Sequence, residues 1–250
     1  MAKIRNHLRN AVVVSVLAAV QAGAQVPHQS TRFTVAAAPT LSQPKGEFRQ
    51  NVGNGFGMEG ALLYHLDRSG LLSVRFDASW LAYGHETKRV PFSETVGNRI
   101  LVNVTTTNSI TALSFGPELS LPRGPVRPYV NAAFSGLFFR TSSSVKGITN
   151  SDGESLSTTN FSDGTGARVY GGGLRIPLGT SSSRISLDVG IRYHRGGEAS
   201  YLREGSIQDN PGGSISITPL NSRTPYMAYL IGIRYRIPFN SPNPCPRLLC

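Results

Sequence analysis

Strict alternation of apolar and polar side chains is the feature that most limits what this chain can become. Across 71–83, Leu72, Val74, Phe76, Ala78, Trp80 and Ala82 fall on one side, and Ser73, Arg75, Asp77, Ser79, Leu81 and Tyr83 on the other. The run 185–194 repeats the arrangement, opposing Ile185, Leu187, Val189, Ile191 and Tyr193 to Ser186, Asp188, Gly190, Arg192 and His194. So does 227–239, where Met227, Tyr229, Ile231, Ile233, Tyr235, Ile237 and Phe239 oppose Ala228, Gly232, Arg234 and Arg236. A period of two puts successive residues on opposite faces of a strand; a helix would mix both sets on every face. Five less regular segments, 31–38, 55–67, 109–121, 125–140 and 165–178, follow the same rule and bring the expected strands to eight. With 27 Gly and 16 Pro in 250 residues, long helices are disfavoured. The chain holds no apolar run of 18 residues, which excludes a polytopic helical membrane protein but not one built of strands.

The connections alternate in length. Short turns follow the second, fourth and sixth segments, at Asp67-Arg68-Ser69-Gly70, Pro122-Arg123-Gly124-Pro125 and 179–183. Long excursions occupy 39–54, 84–108, 141–164 and 195–223. Short turns on one rim and long loops on the other are the pattern of an up-and-down transmembrane barrel. Polar, Gly-containing stretches such as 149–164 read as hydrated loops. Within the last excursion, 214–218 after Pro211-Gly-Gly reads as a hairpin extending the wall outward, and 98–107 as an outward extension of the fourth strand.

A formal net charge of +11 raises the question of nucleic acid. The cations are scattered, mostly Arg, and belong to no nucleic-acid-binding motif, so no nucleic-acid partner is expected. Part of the charge is N-terminal: Lys3, Arg5 and Arg9 precede the apolar run AVVVSVLAAV and the small residues Ala22-Gly23-Ala24. Basic, apolar, then small residues make an export signal over 1–24, leaving a chain of about +8. The barrel is expected over 25–239, with a short periplasmic tail at 240–250. Cys245 and Cys250 lie in that tail, where they either close a small loop or remain free thiols. No metal or cofactor is expected; the cysteines lack the second ligand pair of a zinc site.

Alternation alone fits two opposite objects. A soluble lipocalin-like barrel turns its apolar face inward, around a ligand. An outer-membrane barrel turns it to lipid and fills its lumen with polar groups. Export and loop alternation favour the second. So do aromatics at the strand ends of the apolar face: Phe56, Trp80, Phe138, Tyr193 and Tyr229 toward the long loops, Tyr64 and Phe239 toward the short turns. Such a girdle sits at the lipid–water interface.

With these residues in view, 30–239 resembles the small eight-stranded outer-membrane barrels typified by OmpA and OmpX. The local signature is the last strand, Leu230-Ile-Gly-Ile-Arg-Tyr-Arg-Ile-Pro-Phe239. Barrels of that family end in a strand with Gly, alternating hydrophobics and a final aromatic, which the resemblance assigns to Gly232, Tyr235, Ile237 and Phe239 as an assembly signal. Leu230 stands where a polar residue is usual. Phe115-Gly-Pro-Glu-Leu and Pro128-Tyr-Val are also similar to stretches of the family. The resemblance implies an all-β, eight-stranded antiparallel barrel in a bacterial outer membrane, porin-like in architecture, with barrel assembly machinery as a partner.

On the polar face, Glu59, Arg75, Asp77, Glu118, Arg175, Asp188, Arg192, Arg234 and Arg236 are expected to form a lumenal ion-pair network. Eight strands leave room for side chains but little for a solute, so the network reads as a plug rather than a pore. His28, His65, His85 and His194 have no partner in sequence. His194 lies in Tyr193-His194-Arg195-Gly196, faintly similar to a lipid A deacylase rim motif, but Gly196 stands where the Ser nucleophile belongs. A rim histidine in contact with water is therefore expected, and no catalysis. The role expected is structural or interactive, as a monomer meeting outer-membrane lipid and lipopolysaccharide, and a surface partner through the long loops. A soluble exported binding barrel and a lipid-modifying enzyme are the alternatives.

Overall fold

The alternating segments hydrogen-bond in chain order and then close on themselves. The computed structural model describes residues 32–91, 101–149, 155–179, 184–210 and 214–238. The expected export signal at 1–24, the expected tail with both cysteines, and Phe239 lie outside these residues. The elements are β1 (Phe33–Pro44), α1 (Gly46–Asn51), β2 (Gly55–His65), β3 (Leu72–Pro91), β4 (Leu101–Ser120), β5 (Arg127–Thr149), β6 (Ser155–Pro177) and β7 (Ile185–Gly196). They continue with β8 (Glu198–Tyr201), β9 (Ile207–Asp209), β10 (Ile215–Ile217), β11 (Leu220–Arg223) and β12 (Tyr226–Ile237). Strands β1 to β7 and β12 form one closed antiparallel barrel in which each strand pairs with its chain neighbour. The seam joins β1 to β12, from Phe33↔Ile237 to Pro44↔Tyr226. It is tight at Gly232, where a Cβ would lie 2.3 Å from the Ala37 carbonyl oxygen. Where all eight strands run together, closure leaves no strand edge; farther out, β3 beyond Ala82 and β6 before Ala167 keep a barrel partner on one side only.

The period-two reading assigns the faces correctly. Outward positions are apolar and exposed, among them Phe56, Phe115, Val130, Phe134 and Ile231. Inward positions carry Glu118, Arg192, Arg234, Leu63 and Leu137, all nearly inaccessible to solvent. The chain begins and ends the barrel at the short-turn rim, where Phe33 faces both Tyr64 and Ile237. The β2–β3 turn there is held by Asp67, whose carboxylate accepts from the Leu72 amide at 2.8 Å, the Ser69 amide at 2.9 Å, the Leu71 amide at 3.2 Å and the Ser69 hydroxyl. Partial burial pushes this carboxyl up, but those bonds outweigh it and hold the pKa at about 2.

The long excursions differ from the expected loops. Most of 84–108 and 141–164 is strand, because β3 to β6 continue outward as a sheet through Pro91↔Leu101 and Thr149↔Ser155. Polar composition suggested hydrated loops, yet Thr and Ser suit a pleated surface and bond across it. Thr87 meets Thr105 at 3.2 Å and Thr106 meets Ser143 at 2.8 Å. The outward extension of the fourth strand is present, starting at Leu101. The hairpin at 214–218 does not continue the wall: β10 pairs with β9 in a separate small sheet, and β11 pairs with β8 in another. Likewise 39–54 is not an open loop, since β1 runs to Pro44 and α1 follows.

Candidate functional site

Inward side chains build two tiers. The tier nearer the short turns is ionic. Register brings Arg175 directly opposite Asp188 and sets Arg75, Asp77, Glu59 and Glu118 on three adjoining strands. Glu118 accepts from three guanidiniums: Arg75 at 2.7 Å, Arg234 at 2.7 Å and Arg175 at 3.0 Å. Arg75 also reaches Asp77 at 2.6 Å and Glu59 at 3.2 Å. Arg192 bridges Glu59 at 3.0 Å and Asp77 at 3.1 Å, and Arg234 binds Asp188 at 2.6 Å. The Arg234 guanidinium also lies 4.3 Å from the Tyr129 ring centre, a cation–π contact. Four cations thus face four carboxylates out of contact with water, where an unpaired charge would be costly. Arg236 does not join them: among the described residues it makes no ion pair, and it is only half-buried. It sits one inward step beyond Arg234 toward the short-turn rim, past the last carboxylate.

The tier nearer the long loops is apolar and aromatic. Helix α1 turns Phe48 into the mouth, where its ring centre is 5.0 Å from Tyr201 and 6.0 Å from both Tyr83 and Phe139. Leu81, Ile110, Leu137, Val52 and Tyr226 pack around this cluster. The segment carrying β8 to β11 folds over the same mouth. Tyr83 donates to the Leu202 carbonyl at 3.0 Å, the Asn51 amide donates to the Tyr201 hydroxyl at 3.1 Å, and Tyr201 meets Ser222 at 2.8 Å. Farther out, Lys88 donates to the Ile207 carbonyl at 2.9 Å and the Gly205 amide to Glu86 at 3.1 Å. Asp163 accepts from the Ser200 amide at 2.6 Å and from the Gly164 amide, which lowers its pKa. Between the end of α1, β3, β4 and the segment over the mouth, a polar cleft of about 710 Å³ opens beside Asn51, Asn54, Asn108, Arg203 and Gln208.

Sequence reasoning missed this cap. The signal was present in Phe48 and Val52, whose four-residue spacing marks one side of a helical turn. It also misplaced His194. The residue is 3% exposed rather than at a wetted rim, because β7 runs on to Gly196 and the inward ring lies beneath the cap. There it stacks on Tyr226 with ring centres 4.3 Å apart. His65 is buried too, bonded to Thr34 at 2.8 Å and Ser73 at 2.7 Å.

On the outer surface, Phe56, Trp80, Phe138 and Tyr229 are exposed on the half nearer the long loops, whereas Tyr193 and Tyr64 are half-buried. Tyr64 packs its ring 5.2 Å from Phe33 at the short-turn rim. Tyr235 and Ile237 are exposed near the end of β12.

No protein-family model matches the chain, and no curated protein does. Solved structures with a similar fold include Neisserial surface protein A, at 14% identity and a TM-score of 0.46, covering 82% of this chain and 97% of that one. Ail, the attachment invasion locus protein of Yersinia pestis, is 13% identical with a TM-score of 0.44, covering 83% and 99%. The outer membrane protein AlkL is 13% identical with a TM-score of 0.39, covering 89% and 97%.

Proposed function

We propose that the chain is a bacterial outer-membrane barrel with a sealed interior, whose role is structural or surface-interactive and involves no chemistry of its own. The observation that carries this reading is the inversion of polarity across the wall. Apolar side chains such as Phe134, 76% exposed, face outward, while Glu118 and Arg234 are 0% and 1% exposed inside. A bilayer satisfies such an exterior and water does not. A lipocalin-type binding barrel needs the opposite placement, with an apolar ligand chamber where the ionic tier stands.

The two tiers support a plug. The ion pairs fill the lumen at one level, and Phe48 with Tyr201 closes it at the next. Protein above the cap, including the outward sheet of β3 to β6, is what a partner outside the cell meets. Assembly machinery reads the end of β12, and the barrel works as a monomer surrounded by outer-membrane lipid and lipopolysaccharide.

Membrane fractionation with heat-modifiable gel migration tests the placement. Residence in the outer membrane as a heat-modifiable band is expected; a soluble periplasmic protein would refute it. Phe76→Arg on the lipid face should lower barrel stability by about 2–4 kcal/mol and block assembly. In planar bilayers the intact barrel should show no stable open channel, and a persistent conductance would sink the plug.

A further inference from the structure

Two arginines on the outer wall face each other across a strand pair. Arg168 on β6 is directly opposite Arg195 on β7. Their neighbours Val169 and His194 are buried inward positions, so both guanidiniums point outward, and both residues are exposed. Among the described residues neither makes an ion pair. The acid nearest in sequence, Glu198, points outward with Arg223 3.8 Å away. Like charges directly opposite across a sheet destabilise it, so this pair invites an anion.

The surroundings narrow the choice of anion. One outward step toward the short turns lies the pair Tyr170↔Tyr193, and below it Ile191, an apolar wall suited to acyl chains. One step the other way the wall dips at glycines: Gly136 is opposite Gly166, and Gly164 is opposite Phe138. A Cβ at Gly166 would meet nothing within 4 Å, while the Phe138 ring lies over Gly136 and Gly164. Phe134, opposite Arg168, stands on the other side. A shallow furrow flanked by aromatic rings, with two guanidiniums at its edge and an apolar wall beneath, matches an amphiphile with a phosphorylated sugar head. Guanidinium pairs bind phosphate through charge-assisted, often bidentate hydrogen bonds.

We infer that this furrow, resting on the outer-membrane reading above, binds the phosphorylated sugar headgroup of an outer-leaflet glycolipid, with Arg168 and Arg195 on the phosphate.

Binding is measured on the refolded full-length mature barrel in detergent by native mass spectrometry, using a diphosphorylated glucosamine-disaccharide lipid and its phosphate-free counterpart. Wild type should prefer the phosphorylated lipid by about tenfold or more, the scale of one or two charge-assisted bonds. Arg168→Gln with Arg195→Gln should abolish that preference without altering heat-modifiable migration. Gly166→Leu should weaken both lipids by filling the furrow, and Arg140→Gln, farther out on β5, should change neither. Equal binding of the two lipids by wild type, or an unchanged preference in the double variant, would overturn the assignment. Displacement of the lipid by millimolar inorganic phosphate alone would also overturn it, by showing an ion site rather than a lipid site. The refolded barrel is assayed wherever the cell places the protein, so a failed localisation and a failed lipid site give separate results.

Discussion

The two halves of the lumen solve the same problem by opposite means. Near the short turns, polar groups are buried and must be matched one by one: Glu118 alone satisfies three guanidiniums. Near the long loops, Phe48, Leu81, Leu137 and Phe139 fill space without any such matching. An ionic layer fixes geometry but fails when one member is lost; an apolar layer tolerates exchange as long as volume is kept. The barrel thus carries a rigid closure beside an adaptable one, and the adaptable one bears the outward segments.

That contrast breaks most readily at Glu118. Replacing it by alanine leaves Arg75, Arg175 and Arg234 short of a common partner, and should cost about 3–5 kcal/mol in urea unfolding followed by Trp80 fluorescence. A loss below about 1 kcal/mol would mean that water reaches the ionic tier freely. In the other tier, Leu137→Ala should cost about 3 kcal/mol by opening a cavity, but Leu137→Met less than about 1.5 kcal/mol. If the methionine variant were as damaging as the alanine, the apolar tier would be as exacting as the ionic one. Tyr201→Phe removes hydroxyl contacts to Asn51 and Ser222 while leaving the ring in place. A loss of about 1 kcal/mol is expected, with faster proteolysis of the segment over the mouth. Unchanged proteolysis would show that packing alone holds the cap.

The smallest effect lies outside both tiers. The Asp67 carboxyl is held at about 2 in the folded turn, against an ordinary value of 3.8. A depressed folded pKa adds stability that is fully present above the ordinary value and is lost as pH falls toward 2. Asp67→Asn should therefore flatten the fall in urea midpoint between about pH 4 and pH 2 and leave higher pH little altered. An identical acid profile in the variant would move that sensitivity elsewhere.

Strand identity and facing were legible in the residues because side-chain direction in a strand depends only on parity. Leu72 to Ala82 on one face and Arg75 with Asp77 on the other needed no neighbour to be assigned. The membership of the ionic layer was legible for the same reason, apart from Arg236. Its height along the barrel depends on how β12 lies against the carboxylate-bearing strands, which parity does not encode. His194 was misjudged, and Phe48 passed over within the long connection 39–54, on similar grounds: a residue near a strand end or in a polar connection is buried only when distant segments fold over it.

The amino-acid sequence by itself determined that this chain makes strands, how many close the barrel, and which side of each is apolar. Those properties follow from local backbone geometry. Tertiary structure decided which guanidinium meets which carboxylate, that the mouth is capped by α1 and the last segment, and that Arg168 stands opposite Arg195. These depend on register and closure, where residues far apart in the chain are brought within a few ångströms of each other.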